Sequence, residues 1–423
     1  MFETIRNAWK VADLRKKLLF TLLIVIVFRI GSFIPVPFVD VTALKGAETN
    51  EFFNYLSVMT GGGLSYGAIF AMSVTPYINS SIILQLLCVA IPALERLSKE
   101  GEEGQKKLAQ LTRYITVGLG LLQGFAYFMY LKNNRFLTVD TTGKIVFAGF
   151  VVTICLTAGS ALVMWLGEQI DVKGIGNGIS ILLFAGIISR GPQAFASLKY
   201  NYWDNGRYGV FFGILIAFLV VIAFIVWMSD AERRIPVQYA KKVVGRKMYG
   251  GQNTHLPIKV NMSGVMPIIF ASSILMLPTM ILGFMSNSEG FVYKFLSLFS
   301  TQGIFYALLY FAFIIGFAYF YVTIQYNPVE IANNMQQNGG SIMGIRPGKP
   351  TSDYIQRILS RVTLIGALCL SVIAVLPIIV SVIGNINVSL GGTSVLILVG
   401  VALDTVKNLE SQMLMRHYKG FLD

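Results

Sequence analysis

Gly63-Leu64-Ser65-Tyr66-Gly67 matches the pattern G-x-S-x-G, in which a serine on a sharp strand-to-helix turn is activated by a histidine. The chain has two histidines, His255 and His417, and the charge pattern described below puts both across a membrane from Ser65. The match is therefore read as chance. Gly174-Ile175-Gly176-Asn177-Gly178 resembles a phosphate loop only superficially and is read as the start of a short helix. The sequence contains no H-E-x-x-H, no P-loop and no paired-cysteine metal motif. Cys88, Cys155 and Cys369 all fall inside apolar segments, spaced neither as a disulfide framework nor as a metal site. No metal, cofactor or enzymatic activity is expected.

Ionisable residues inside the apolar segments are few: chiefly Arg29, with Asp404 and Lys407 near the end of the last one. Ion-coupled transporters keep carboxylates or histidines near the bilayer midplane, so their near-absence argues against that class. What remains is apolar. Ile78 and Ile82 lie four apart and share a helix face, as do Ile179 and Leu183. The plainer reading of such residues is packing or lipid contact. The alternative is a hydrophobic constriction, which blocks ions by dewetting.

The elements that carry these residues are membrane spans. Of 423 residues, 55% are hydrophobic and 13% charged, against about 25% charged in soluble domains. Mean hydropathy is +0.66. Ten spans are expected, at roughly 18–34, 73–91, 111–131, 146–166, 178–190, 209–228, 263–284, 304–323, 358–380 and 392–410, giving an all-α polytopic membrane protein. With the amino terminus inside, inside segments hold 25 of the 34 Lys and Arg and outside segments 8, with Arg29 inside the first span. The net charge of +13 is thus a cytoplasmic excess, and both termini are expected in the cytoplasm. No cleavable signal peptide is evident. Phe2, Ile5 and Trp9, interleaved with Arg6, Lys10, Arg15, Lys16 and Lys17, read as an amphipathic stretch leading into the first span.

Three connections stand out. Residues 60–72 are apolar, glycine-rich and too short to span, so they read as re-entrant backbone, which must be buried in protein or line a cavity. Two long inside connections, 229–260 and 324–357, carry prolines and glycines that favour defined turns over continuous helix.

Ten spans make two halves of five, and an odd number per half inverts the second. Val74-Thr75-Pro76-Tyr77-Ile78-Asn79-Ser80-Ser81-Ile82-Ile83-Leu84 aligns with Val265-Met266-Pro267-Ile268-Ile269-Phe270-Ala271-Ser272-Ser273-Ile274-Leu275, the second span of each half. Gly178-Ile179-Ser180-Ile181-Leu182-Leu183 aligns with Gly392-Thr393-Ser394-Val395-Leu396-Ile397, the fifth of each. Ile269 and Ile397 are the repeat partners of the apolar candidates, and such folds place their pathway between the halves.

Pro76-Tyr77-Ile78, Gly176-Asn177-Gly178-Ile179-Ser180, Arg233-Arg234-Ile235-Pro236-Val237-Gln238-Tyr239-Ala240, Pro267 with Phe270-Ala271-Ser272-Ser273, Asn327-Pro328, Gly344-Ile345-Arg346-Pro347-Gly348 and Gly391-Gly392-Thr393-Ser394 together carry a resemblance. End to end, the chain resembles the bacterial SecY family. The resemblance implies a channel for unfolded secretory polypeptides in the plasma membrane, with ten helices in two inverted halves, 1–190 and 191–423, around a central pore.

It implies a pore ring of Ile78, Ile82, Ile179, Leu183, Ile269 and Ile397. It implies a plug at about 61–72, led by Gly61, Gly62, Gly63, Leu64, Ser65, Tyr66 and Gly67, and a lateral gate toward lipid between spans two and seven. Thr75, Gln85, Ser272 and Ser273 are the candidate polar residues of that gate. Docking of the motor SecA or the ribosome would fall to Arg233, Arg234, Lys241, Lys242, Arg246, Lys247 and Arg346, with SecE and SecG as subunits and lipids at the gate. The alternatives are a small-molecule secondary transporter, suggested by inverted halves alone, and an intramembrane hydrolase, resting only on G-x-S-x-G.

Overall fold

The computed structural model describes residues 6, 8–46, 61–139, 141–239, 242–244, 247–249, 253–284, 290, 303–384 and 392–419. In chain order the elements are α1 (Ala12–Gly31), α2 (Val41–Gly46), α3 (Thr75–Ala90), α4 (Pro92–Lys99), α5 (Glu102–Asn133), α6 (Thr142–Lys173), α7 (Gly178–Ser189), α8 (Gly191–Leu198) and, after a π-helical turn at Lys199–Trp203, α9 (Tyr208–Asp230). Then come β1 (Glu232–Tyr239), β2 (Lys242–Val244), β3 (Lys247–Tyr249), β4 (Asn253–Lys259), α10 (Met266–Phe284), α11 (Ile304–Gln325), α12 (Pro328–Gln337), β5 (Gly340–Ile342), α13 (Lys349–Gly384) and α14 (Gly392–Lys419).

Each expected span coincides with a helix: α1, α3, α5, α6, α7, α9, α10, α11, α13 and α14. Among the described residues, six helical segments are long and apolar enough to cross a bilayer, or seven if α3 and α4, bent by 104°, count as one. α1 lies outside that set, and Arg15, Lys16, Lys17 and Arg29 all fall within it. Helices also run past the expected boundaries. α5 begins at Glu102 and α13 at Lys349, because hydropathy locates the apolar part of a helix rather than its ends.

The chain divides into two compact units. One is Met1–Phe211 with Met276–Thr301 and Ile397–Asp423; the other is Phe212–Leu275 with Gln302–Leu396. In the first unit, α6 is the hub, packing against α1, α3, α5 and α7. Its fully buried Ala148, Val152, Leu156, Val163 and Ile170 follow the spacing of one helix stripe. α5 meets it through small residues. A side chain at Gly120 would press on Thr157 and Ser160, and one at Gly124 on Thr153, so the two backbones lie close.

α3 is tied to α5 by hydroxyls. Ser80 Oγ donates to Thr112 O at 3.0 Å and lies 2.7 Å from Thr116 Oγ1. Both threonines are buried, and their own hydroxyls donate to Leu108 O and Thr112 O one turn back. In an apolar surrounding such donors stay paired because nothing else offers an acceptor.

The second unit holds structure the sequence reading did not anticipate. The connection 229–260, expected as turns, folds into strands. β1 pairs antiparallel with β4 and β5 in the order β4-β1-β5, with Ile235 opposite Leu256 and Val237 opposite Ile342, while β2 and β3 form a separate two-stranded ladder. The other long connection, 324–357, contributes α12, β5 and the first turns of α13. Ile235, Val237 and Ile258 bury one sheet face against Ala332 and Met335 of α12 and Ile355, Leu359 and Val362 of α13. The opposite residues of β1, Glu232, Arg234, Pro236 and Gln238, are exposed, as period-two alternation requires, and Arg233, on the face of Ile235 at the strand's start, is exposed too. Gly366 of α13 lets the chain at Val260 approach the helix backbone.

Ser80→Ala removes the α3–α5 hydrogen bond without adding bulk. It is expected to lower stability by roughly 0.5–1.5 kcal/mol, read by denaturant unfolding in detergent.

Candidate functional site

Residues 61–74 have no helix or strand ladder. They form successive turns, buried almost throughout, inside the first unit. Most backbone bonds are local: Ser65 and Tyr66 N–H to Gly62 O, Gly67 to Leu64, Ala68 to Gly63, Ala71 to Ala68 and Ser73 to Phe70. Two backbone bonds tie the segment to the chain after α1: Val36 N–H to Gly67 O at 2.8 Å and Ile69 N–H to Ile34 O at 2.9 Å. Phe70 stacks on Phe28 of α1 at 6.0 Å. Leu64 and Ala71 enter a core with Val36, Val39, Leu44, Phe128, Leu131, Val152 and Leu156.

Glycine is required at several points of this seat, two of which show why. Gly67 has φ of +55°, and any side chain there would also press on Val39. Gly159 of α6 lies against the Ile69 carbonyl, where a Cβ would collide. The segment ends at Ser73, whose φ of +47° is unusual for a residue with a side chain, immediately before α3 begins.

Arg29, Arg190 and Tyr127 hydrogen-bond to the segment from α1, α7 and α5. Arg29 Nη1 of α1 donates to Gly61 O at 2.7 Å and its guanidinium lies 4.5 Å from the Phe33 ring centre. Arg190, which ends α7, donates from Nη2 to Ser65 Oγ at 3.2 Å. Tyr127 Oη of α5 donates to Leu64 O at 3.2 Å. Sequence reasoning noted Arg29 as an intramembrane charge but missed Arg190 and Tyr127. Their partners lie 125 and 63 residues away, and no local pattern points to them. Beside the seat, Asp40 caps α2: the Thr42 hydroxyl, with the Ala43 and Thr42 amides, holds its carboxyl below the usual carboxylate range.

The candidate ring residues sit on four helices. Ile78 and the buried Ile82 are on α3, Ile179 and the buried Leu183 on α7, Ile269 on α10, and the buried Ile397 on α14. Ile179 rests its Cδ1 on Gly167 of α6. The turn that launches α7 is built by capping. Asn177 Oδ1 accepts from Ser180 N–H at 3.0 Å, Asp171 Oδ1 from Gly178 N–H at 2.7 Å and Thr21 Oγ1 from Ile175 N–H at 3.3 Å. Gly174–Gly178 is thus a helix start whose free amides are satisfied by side chains.

Of the gate candidates, Thr75 and Gln85 are on α3, and Ser272 and Ser273 on α10, with Ser272 Oγ donating to Ile269 O at 3.0 Å. α10 packs Phe270 edge-on against Phe317 and Tyr321 of α11. Arg233, Arg234 and Arg346 are exposed, Arg346 between two glycines of positive φ. Lys241 and Arg246 lie outside the described residues, as do Phe2 and Ile5. Lys242 and Lys247 open β2 and β3. Among the described residues no group of three or more His, Cys, Asp and Glu is placed to hold a metal.

The family model for SecY matches residues 68–406. The chain belongs to the SecY family. A protein translocase subunit SecY from Streptomyces scabiei is 44% identical over 439 residues, covering 100% of both chains. Two solved structures share the fold. One, described as showing that the SecY plug domain stabilizes the closed state of the translocation channel, has a TM-score of 0.66 at 19% identity, covering 94% of this chain and 92% of its own. The other, Sec61 in the canine ribosome-channel complex, has a TM-score of 0.61 at 17% identity with the same coverage. Like other members of the SecY family, the chain is a multi-pass membrane protein.

Gly159→Val is expected to push Ile69 off α6 and loosen the seat, at the cost of about 1–3 kcal/mol usual for overpacking. A cysteine placed at Tyr66 should then react faster with a polar maleimide than the same cysteine with Gly159 intact.

Proposed function

We propose that this chain is the pore subunit of a protein-conducting channel that passes unfolded secretory polypeptides across the plasma membrane and releases apolar segments sideways into lipid. The observation that carries this reading is the seat of residues 61–74. Backbone without a ladder of its own, buried among helices and tied to them by single side-chain hydrogen bonds such as those of Arg29, Arg190 and Tyr127, has the properties of a removable closure.

In this reading residues 61–72 are the plug, and 1–190 and 191–423 are the inverted halves. Ile78, Ile82, Ile179, Leu183, Ile269 and Ile397 ring the constriction. An apolar ring offers no strong binding site, so chains of any sequence pass, and it excludes ions when collapsed. α3 and α10 form the lateral gate, lined by Thr75, Gln85, Ser272 and Ser273. Both termini are cytoplasmic, following the Lys and Arg excess.

The channel works without a catalytic step of its own, so driving energy comes from a partner. The exposed face of β1 and the Arg346 turn dock that partner, either the motor SecA or a ribosome, whose acidic or phosphate surfaces suit Arg233, Arg234 and the lysines of β2 and β3. SecE and SecG complete the complex.

Replacing Ile78, Ile82 and Ile397 together with asparagine should hydrate the ring and make resting channels conduct ions in planar bilayers. Conductance equal to that of the parent would remove the ring assignment. Arg346→Glu should reduce motor-driven export about tenfold or more while the purified protein keeps its melting temperature, because it places a like charge against an acidic surface. Normal export by that variant would remove the docking role.

A further inference from the structure

Arg29 and Arg190 converge on the same short stretch from different helices. Arg29 lies in the last turn of α1 and Arg190 at the end of α7, and α1 and α7 pack against each other. Their targets, Gly61 O and Ser65 Oγ, flank the turn at Gly62–Leu64. Gly61 also approaches α7 closely, so that a Cβ there would lie 2.9 Å from Gly186 O. Phe33, beneath the Arg29 guanidinium, meets Tyr66 edge-on at 5.3 Å. Residues 68–74 are held differently, by Ile34, Phe28 and the close approach at Gly159. The segment therefore has an apolar, sterically fixed root and a tip gripped by two cations.

An ionisable side chain within a span is costly to place and asks for a functional account. Here each arginine donates to a neutral oxygen, a carbonyl or a hydroxyl. A charged donor makes a stronger hydrogen bond than a neutral one, yet a neutral acceptor binds it less tightly than a carboxylate would. Contacts of this kind suit something that must hold at rest and let go.

We propose that Arg29 and Arg190 are the two arms of a latch on residues 61–67, and that their hydrogen bonds set how readily the channel opens. This rests on the reading of the segment as the plug. Arg29 and Arg190 are positioning residues: they act on the tip, and the tip closes the path.

The test uses the complete channel complex in planar bilayers, at rest and after addition of a synthetic signal peptide. Arg29→Gln and Arg190→Gln should each raise the resting conductance about tenfold, the effect of losing one charge-assisted bond on a two-state equilibrium, and the double variant should raise it further. Arg→Lys at either position should recover part of the closure. Ser65→Ala, which leaves both cations in place, should also raise the resting conductance, and combining it with Arg190→Gln should give less than the sum of the two effects. Conductance with signal peptide should equal that of the parent.

Resting conductance unchanged in all these variants, while the parent still opens with signal peptide, would overturn the latch and leave the channel reading standing. Full additivity of Ser65→Ala and Arg190→Gln would overturn the pairing. A parent complex that never opens with signal peptide would overturn the channel reading, and the latch with it.

Discussion

A peptide group in hydrocarbon has no water to bond, so every N–H and C=O at membrane depth must find a partner inside the protein. Helices meet most of that demand by themselves, each bonding along its own ladder except at its ends and at Pro278 of α10 and Pro377 of α13. The informative places are those where the ladder stops. At 61–74 the backbone turns repeatedly and is completed by Val36, Ile34, Arg29, Arg190 and Tyr127. At 174–178 it is completed by Thr21, Asp171 and Asn177. Both breaks lie within the first unit, the one at 61–74 buried almost throughout, and each is positioned in part by residues from distant parts of the chain.

That difference also separates what the sequence discloses from what it hides. Long apolar runs and helical spacing disclosed the ten helices, because burial and lipid contact both demand apolar faces of helical length. The glycine-rich run at 60–72 was legible as re-entrant for the same reason: it is apolar, too short to cross, and rich in residues that tolerate positive φ, as at Gly67. Its seat was not legible. The partner of Ser65 is 125 residues away, at a helix end where an arginine looks like any interfacial charge.

The strands were hidden by their prolines. Ile235 and Val237 alternate with exposed residues, which is a strand signal, but Pro236 and Pro257 lie in β1 and β4 and argue against strands on sequence alone. Register explains the tolerance. β5 covers only Val237, Gln238 and Tyr239, so at Pro236 β1 is paired on one side, with His255. The strand is central at one end and an edge at the other, and the proline occupies the edge. This local arrangement holds Arg234 on the open face of a folded sheet, with Arg233 exposed at the strand's start, rather than on a flexible connection.

The account stands or falls on whether a polypeptide travels past the apolar positions on α3, α10 and α14. A photoreactive residue at Ile78, Ile269 or Ile397, in membranes carrying a stalled secretory chain, measures this directly, with exposed Leu219 of α9 as the control. The account predicts adducts to the stalled chain from all three positions, none from Leu219, and loss of the adducts when the chain is released. No adducts at Ile78, Ile269 and Ile397, or equal yield from Leu219, would contradict it.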